Sequence, residues 1–345
     1  MKSLNGFMII SVFLCAVMGA LIWSYAAQST KEKYALSDSF IIEPNSIDLE
    51  QNDTFFPISK EKLPENIKSL TEKYYSKVYS ESEQTLEPGE RLSQRTVLSY
   101  DRNKNLLKRT VYTAEGALSA EWTFKYNLAG KRISDENTWA LPYVIYSHDA
   151  KGNMIGWKHY DGDSKLLSFA TLKYDDKNVL VEQFRQNASG KGQKKYLYSY
   201  NRQGQKISRM EYSSSDYLRE TLVYIYNEQG KLMEWMQTYR RGDIEDREVY
   251  SYNAHGYLSE KITYLSGGWF RNKITYLHDD KGNVKEELRF SKQDGPPFYK
   301  RIYEYDSENK LIKRADYIIW VDPVTKKTDE ISAGRTVFEY ELYPK

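Results

Sequence analysis

The stretch "YLYSYNRQGQKISRMEY" (residues 196–212) sets tyrosines at alternate positions, runs into Asn-x-x-Gly, and returns 26 residues later as "LVYIYNEQGKLMEW" (222–235). Aligned on the residue before the turn, the anchors are Tyr100, Tyr126, His148, Tyr174, Tyr200, Tyr226, Tyr252, His278 and Tyr305. Successive gaps are 26, 22, 26, 26, 26, 26, 26 and 27. Asp or Asn follows every anchor. Four residues past it stands Gly130, Gly152, Gly204, Gly230, Gly256 or Gly282, with Asn178 and Asn309 substituting and Lys104 the one misfit. Asx side chains fold back on the backbone two residues on, and Gly or Asn tolerates positive φ, so each anchor opens a tight turn of fixed geometry.

Two residues before the anchor lie large rings or Leu (Leu98, Phe124, Tyr198, Tyr224, Tyr250, Tyr276, Tyr303), and three before it mostly β-branched or aliphatic residues (Val97, Ile145, Val223, Val249, Ile302). Period two with that composition is a β-strand. After the turn a second strand begins with aliphatics six and seven past the anchor, such as Leu232 and Met233. Each unit therefore reads as a β-hairpin, and the series as an all-β antiparallel meander. A lone hairpin is marginal in water, so the units must stack edge to edge. Nine hairpins make about eighteen strands, a flat sheet about 85 Å wide at roughly 4.8 Å per strand. Twist disfavours that, so the expectation is one long twisted or wound sheet, open at both ends. Its edges then need cover from the segment around Pro64 and from "GRTVFEYELY" (334–343).

The units "YSYNRQGQ", "YIYNEQGKL", "YEYDSENKL" and "YSYNAHGYL" resemble the tyrosine-aspartate (YD) repeats of the RHS family, over roughly residues 94 to 320. The resemblance implies a wound β-sheet, often a shell around a C-terminal toxin. This chain departs from that plan: its period is longer, no toxin-sized segment follows the repeats, and "WVDPVTKK" (320–327) shares only Asp322-Pro323 with the family's cleavage region.

Before the array, Lys2 precedes an uncharged apolar run from Phe7 to Trp23 and then Ser24-Tyr25-Ala26. Residues 1–27 read as a signal peptide cleaved after Ala26, or as a retained membrane anchor. Residues 28–92 read as a polar linker. Within it Pro64 opens a helix near 64–79, with Ile67, Leu70, Tyr74 and Val78 at helical spacing. Residues 93–320 form the array and 321–345 a C-terminal strand or cap.

Lys+Arg and Asp+Glu nearly cancel, 50 against 48, and the signs are interspersed. That excludes the clustered basic face of a nucleic-acid binder. The single cysteine, Cys15, lies in the apolar run, so the mature part holds no disulfide or thiolate metal site. Neither a phosphate loop, a nucleophile elbow nor a zinc-protease helix is present. His148 and His278 fill the anchor column, "YDGDS" (160–164) reads as a turn, and neither a metal nor any other cofactor is expected.

Candidate binding residues come from two places. Eight past the anchor stand Glu234, Glu260 and Glu286. Direct pairing of the anchor with position six sets them opposite Tyr224, Tyr250 and Tyr276, a ring-and-carboxylate ladder in a concave groove suited to glycans or extended peptides. Trp157 and Trp235, nine past their anchors, then face the other way, available for stacking. The expected function is non-enzymatic: an exported binding or scaffolding module of the bacterial cell envelope or periplasm, with a protein or glycan ligand. It touches the membrane only through an uncleaved N-terminal segment. The alternatives are a toxin-neutralising or cargo-shielding partner, and a carbohydrate-active enzyme with paired carboxylates.

Overall fold

The computed structural model describes residues 62–80, 85–137, 143–239, 242–322 and 324–344. The leader, with its cleavage position and Cys15, lies outside the described residues. The strands are β1 (Ile67–Ser80), β2 (Thr85–Tyr100), β3 (Leu106–Thr113), β4 (Leu118–Tyr126), β5 (Arg132–Asn137), β6 (Tyr143–His148) and β7 (Met154–Tyr160). They continue as β8 (Leu166–Tyr174), β9 (Leu180–Asn187), β10 (Lys194–Tyr200), β11 (Lys206–Ser213), β12 (Leu218–Tyr226), β13 (Leu232–Tyr239) and β14 (Ile244–Tyr252). The last are β15 (Leu258–Leu265), β16 (Trp269–His278), β17 (Val284–Phe290), β18 (Tyr299–Tyr305), β19 (Leu311–Val321) and β20 (Thr328–Leu342).

Every strand pairs antiparallel with its successor, and β20 returns to pair with β1. The fold is a closed 20-stranded up-and-down barrel, not an open or wound meander. Closure satisfies both ends of the array at once, which an open sheet of this width could not do. The stave that closes it is the segment expected to be a helix. β1 lies between β2 and β20, with Leu70 opposite Leu98 on one side and Tyr340 on the other. Its composition, Thr71-x-x-Tyr74-Tyr75-x-x-Val78-Tyr79, favours a strand. The helical spacing of Ile67 and Leu70 has another cause. A register shift between Ile67 and Ser69 lets two residues three apart both point inward, and both are fully buried. No α-helix occurs among the described residues.

The described residues form one sheet layer, so only curvature can hide a face. Leu98, Phe124, Tyr146, Leu172, Tyr198 and Tyr224 are buried, whereas Ile145, Ile225 and Leu277 on the other parity are exposed. The rings therefore line the inside. At the closure seam Leu63, Ile67, Leu70, Leu98, Tyr100, Leu311 and Phe338 form the main apolar cluster.

Each anchor turn is built alike. Asn227 Oδ1 accepts from the backbone N–H of Gln229 and Lys231 at 3.0 and 2.9 Å, and Gly230 N–H closes on Asn227 O at φ +79°. The same double acceptance recurs at Asp101, Asp149, Asn201 and Asp279. The misfit Lys104 adopts φ +59° as well, and its ammonium donates to Leu63 O at 3.0 Å, tying this rim to the start of β1.

After the turn comes one extra residue. Tyr226 pairs with Leu232 but Ile225 pairs with Glu234, so Met233 is a bulge; the shift recurs after all nine anchors. A bulge disrupts the ladder, and the anchor tyrosine of the next hairpin reaches the carbonyl beside it. Tyr126 donates to Leu106 O, Tyr174 to Met154 O, Tyr226 to Lys206 O and Tyr252 to Leu232 O, all at 2.8–2.9 Å. Tyr340 completes the series onto Leu311 O at 2.9 Å.

Removing one such hydroxyl costs about 1 kcal/mol, and removing an Asx acceptor of two N–H groups about 1–2 kcal/mol. Tyr226→Phe and Asn227→Ala should lower stability by those amounts in urea denaturation. Ser251→Ala, on the outer wall, serves as the reference and should leave the midpoint unchanged.

Candidate functional site

The bulge decides which residues the inner wall presents. It moves position eight outward and position nine inward. The expected ladder is therefore not formed: Tyr224 lies opposite Trp235, Tyr250 opposite Lys261, and Tyr276 opposite Glu287. Glu234, Glu260 and Glu286 face Ile225, Ser251 and Leu277 on the outer wall. There Glu234 takes Arg247 at 2.5 Å and Glu286 lies 3.7 Å from Lys300, pairs worth about 0.2–1 kcal/mol each. Trp157 and Trp235 move the other way. They face inward with the rings, and Trp157 is buried opposite Tyr146.

The inner wall carries rings and ion pairs together. Glu248 gathers four donors from three strands: Trp235 Nε1 at 2.9 Å, Tyr250 Oη at 2.6 Å, Lys261 Nζ at 3.2 Å and Thr263 Oγ1 at 3.3 Å. Burial pushes the Glu248 carboxyl up, but these donors outweigh it and hold the group below its ordinary value. The Tyr250 phenol is driven up by burial and by that carboxylate. Further round, Asp316 accepts from Tyr299 Oη at 2.5 Å and Arg301 Nε at 2.6 Å, and Glu287 from Arg289 Nε at 2.6 Å and Tyr303 Oη at 3.2 Å. Burial, with the neighbouring carboxylate, pushes the Tyr299 and Tyr303 phenols up to about 12. Asp135 accepts from Tyr146 at 2.6 Å and pairs with Arg132. Gln183, its amide turned so that the oxygen accepts from Arg185, donates to the Tyr198 hydroxyl at 2.9 Å.

Glu72 on the closing stave differs. Burial raises its carboxyl, Arg314 and Arg109 pull it back, and its Oε1 has no hydrogen-bond partner among the described residues. His148 and His278 stand where tyrosine anchors stand elsewhere, and burial lowers both. Tyr257 stacks on His278 at 5.2 Å between centroids. Among the described residues no group of His, Cys, Asp and Glu is arranged to hold a metal.

This wall can offer stacking faces, donors and acceptors to a polar ligand. Sequence reading missed Glu248, Lys261 and Glu287. For the last two the signal was the column nine past the anchor (Arg109, Asp135, Gln183, Arg209, Lys261, Glu287, Arg314), whose polar character is at odds with a dry core.

No family model and no curated protein matches the sequence. Among solved structures, a porin-like protein from Bacteroides uniformis aligns at a TM-score of 0.37 and 9% identity over 80% of this chain and 98% of its own. The TcdB2-TccC3-Cdc42 complex aligns at 0.34 and 14% over 81% of this chain, and a Photorhabdus luminescens Tc holotoxin pore at 0.28 and 10% over 76%. This chain spans 18% and 17% of those two toxin chains.

A carboxyl held low in the folded state adds stability above its ordinary value of 4.5, and that stability is lost as pH falls through the lowered folded value. Glu248→Gln should therefore cost about 1–3 kcal/mol at pH 7. Urea denaturation at stepped pH should show the gap to the unsubstituted chain narrowing below about pH 4.

Proposed function

We propose that the chain is an exported, non-enzymatic β-shell of the cell envelope that binds a protein segment or glycan against its inner wall. The observation that supports this most is the pairing of a wide ring with a polar, aromatic lining. Barrels of roughly 16–18 strands already enclose a lumen, and the ionic groups on this inner face, Glu248, Lys261, Glu287, Arg289, Arg301 and Asp316, suit a polar occupant better than an apolar one. The paired charges nearly cancel along the wall, which favours a neutral polar ligand over a polyanion.

The outer wall supports an aqueous exterior as well. Lys108–Glu121, Arg247–Glu234 and Lys300–Glu286 sit along its strands. A lipid-facing Lys or Arg at mid-membrane costs about 2–4 kcal/mol. Enclosure of cargo is the second reading, favoured over display in a trough because the ring is closed.

A glycan array and a pull-down from envelope extract, run with folded full-length chain, test this. At least one should give a ligand whose binding falls about tenfold in Trp235→Leu and is unchanged in the outer-wall variant Glu260→Ala. Blank results in both, or equal loss in both variants, contradict it.

A further inference from the structure

Closing a barrel removes its free strand edges, yet two hairpins overrun this ring. β1 and β20 pair only from Ile67 and Leu342 to Ser76 and Gly334. Beyond that point β1 continues with β2 to the Ser80–Thr85 pair, and β20 continues with β19 to the Val321–Thr328 pair. The two arms part at Gly334. Its φ is +144°, and a Cβ there would stand 2.6 Å from Tyr75 O, so only glycine fits where β20 leaves β1. Past this fork the Thr328–Ala333 edge turned away from β19 and the Lys77–Ser80 edge turned away from β2 are no longer paired with each other. Neither edge makes backbone hydrogen bonds to another described residue.

The β19–β20 lip is apolar on one face. Ile318 pairs directly with Ile331, and Trp320 lies two residues further along the same face, opposite Asp329. These three are 51%, 41% and 43% exposed. Asp329 is exposed and has no salt bridge to a described residue, whereas Glu330 on the other face is held by Lys300 at 3.0 Å.

We propose that this fork binds an extended segment of a partner protein, inserted as an added strand, with apolar side chains at alternate positions and a Lys or Arg at the register of Asp329. Open strand edges present N–H and C=O groups at a spacing that an extended backbone matches and a glycan or lipid does not. The Ile318, Trp320 and Ile331 row receives every second side chain, as strand periodicity demands. The exposed carboxylate of Asp329 supplies the charge complement. The row continues the inner face past Tyr299 and Asp316, but binding here uses open backbone edges and needs no ligand on the inner wall.

The test pans a phage-displayed library of random peptides, about twelve residues long, against the full-length chain, and then measures selected synthetic peptides on variants. Proline-poor sequences with alternating apolar residues and a basic residue should be enriched. Their affinity should fall about tenfold in Asp329→Lys and in Trp320→Ser, and stay unchanged in Trp235→Leu and Glu260→Ala. Both altered residues are exposed, and an unchanged thermal midpoint confirms that each variant is folded. Failure to enrich peptides overturns the proposal, as does binding indifferent to both fork variants. So does a dimer of the unliganded chain that Asp329→Lys disperses, since a second copy would then fill the fork.

Discussion

A phenol hydroxyl bound to a bulge carbonyl is the contact on which the rest of this barrel depends. Every anchor turn is followed by one surplus residue, which would leave a gap in the ladder, and at six of these gaps a tyrosine of the next hairpin (Tyr126, Tyr174, Tyr226, Tyr252, Tyr305 or Tyr340) donates to the carbonyl beside it. The bond joins successive hairpins, so it acts where a lone hairpin is weakest. Side chains five past the anchor add a second stitch between neighbouring turns: Gln205 Nε2 donates to Gly230 O and Lys231 Nζ to Gly256 O, both at 2.7 Å. The repeat length follows from this geometry, because a tyrosine twenty residues beyond its carbonyl acceptor must land on the adjacent hairpin at the same height.

The same surplus residue sets the chemistry of both walls. One step of register sends a whole column to the opposite face. Inside it places Asp135, Trp157, Trp235, Lys261 and Glu287, and outside Glu234, Glu260 and Glu286. The inner charges are costly to desolvate alone, and the wall answers with mutual pairing: Glu248 under four donors, Asp316 between Tyr299 and Arg301.

The repeat unit was legible in the sequence because its signals are local. Asp or Asn one past the anchor and Gly four past it state the turn, and alternate rings state the strand. Closure was not legible. It rests on β1 meeting β20 across a separation of 266 residues at Lys73 and Glu339, and the pattern of Ile67 and Leu70 imitates a helix because a bulge restores their common face. The Tyr–Glu ladder failed for a related reason: Leu232 and Met233 are both aliphatic, so nothing in the composition marks Met233 as surplus. The polar column nine past the anchor was the available clue. It becomes readable only once the bulge is known to turn that column inward.

The central claim, closure by β1, is tested most directly by disulfide trapping across the seam. With Cys15 replaced by Ser, the pair Thr71→Cys and Glu339→Cys occupies directly opposed positions of β1 and β20. The account predicts an intramolecular cross-link in the folded chain under mild oxidation, and none for Thr71→Cys paired with Lys195→Cys on β10. Failure of the seam pair to cross-link in folded protein, or equal trapping of both pairs, would contradict it.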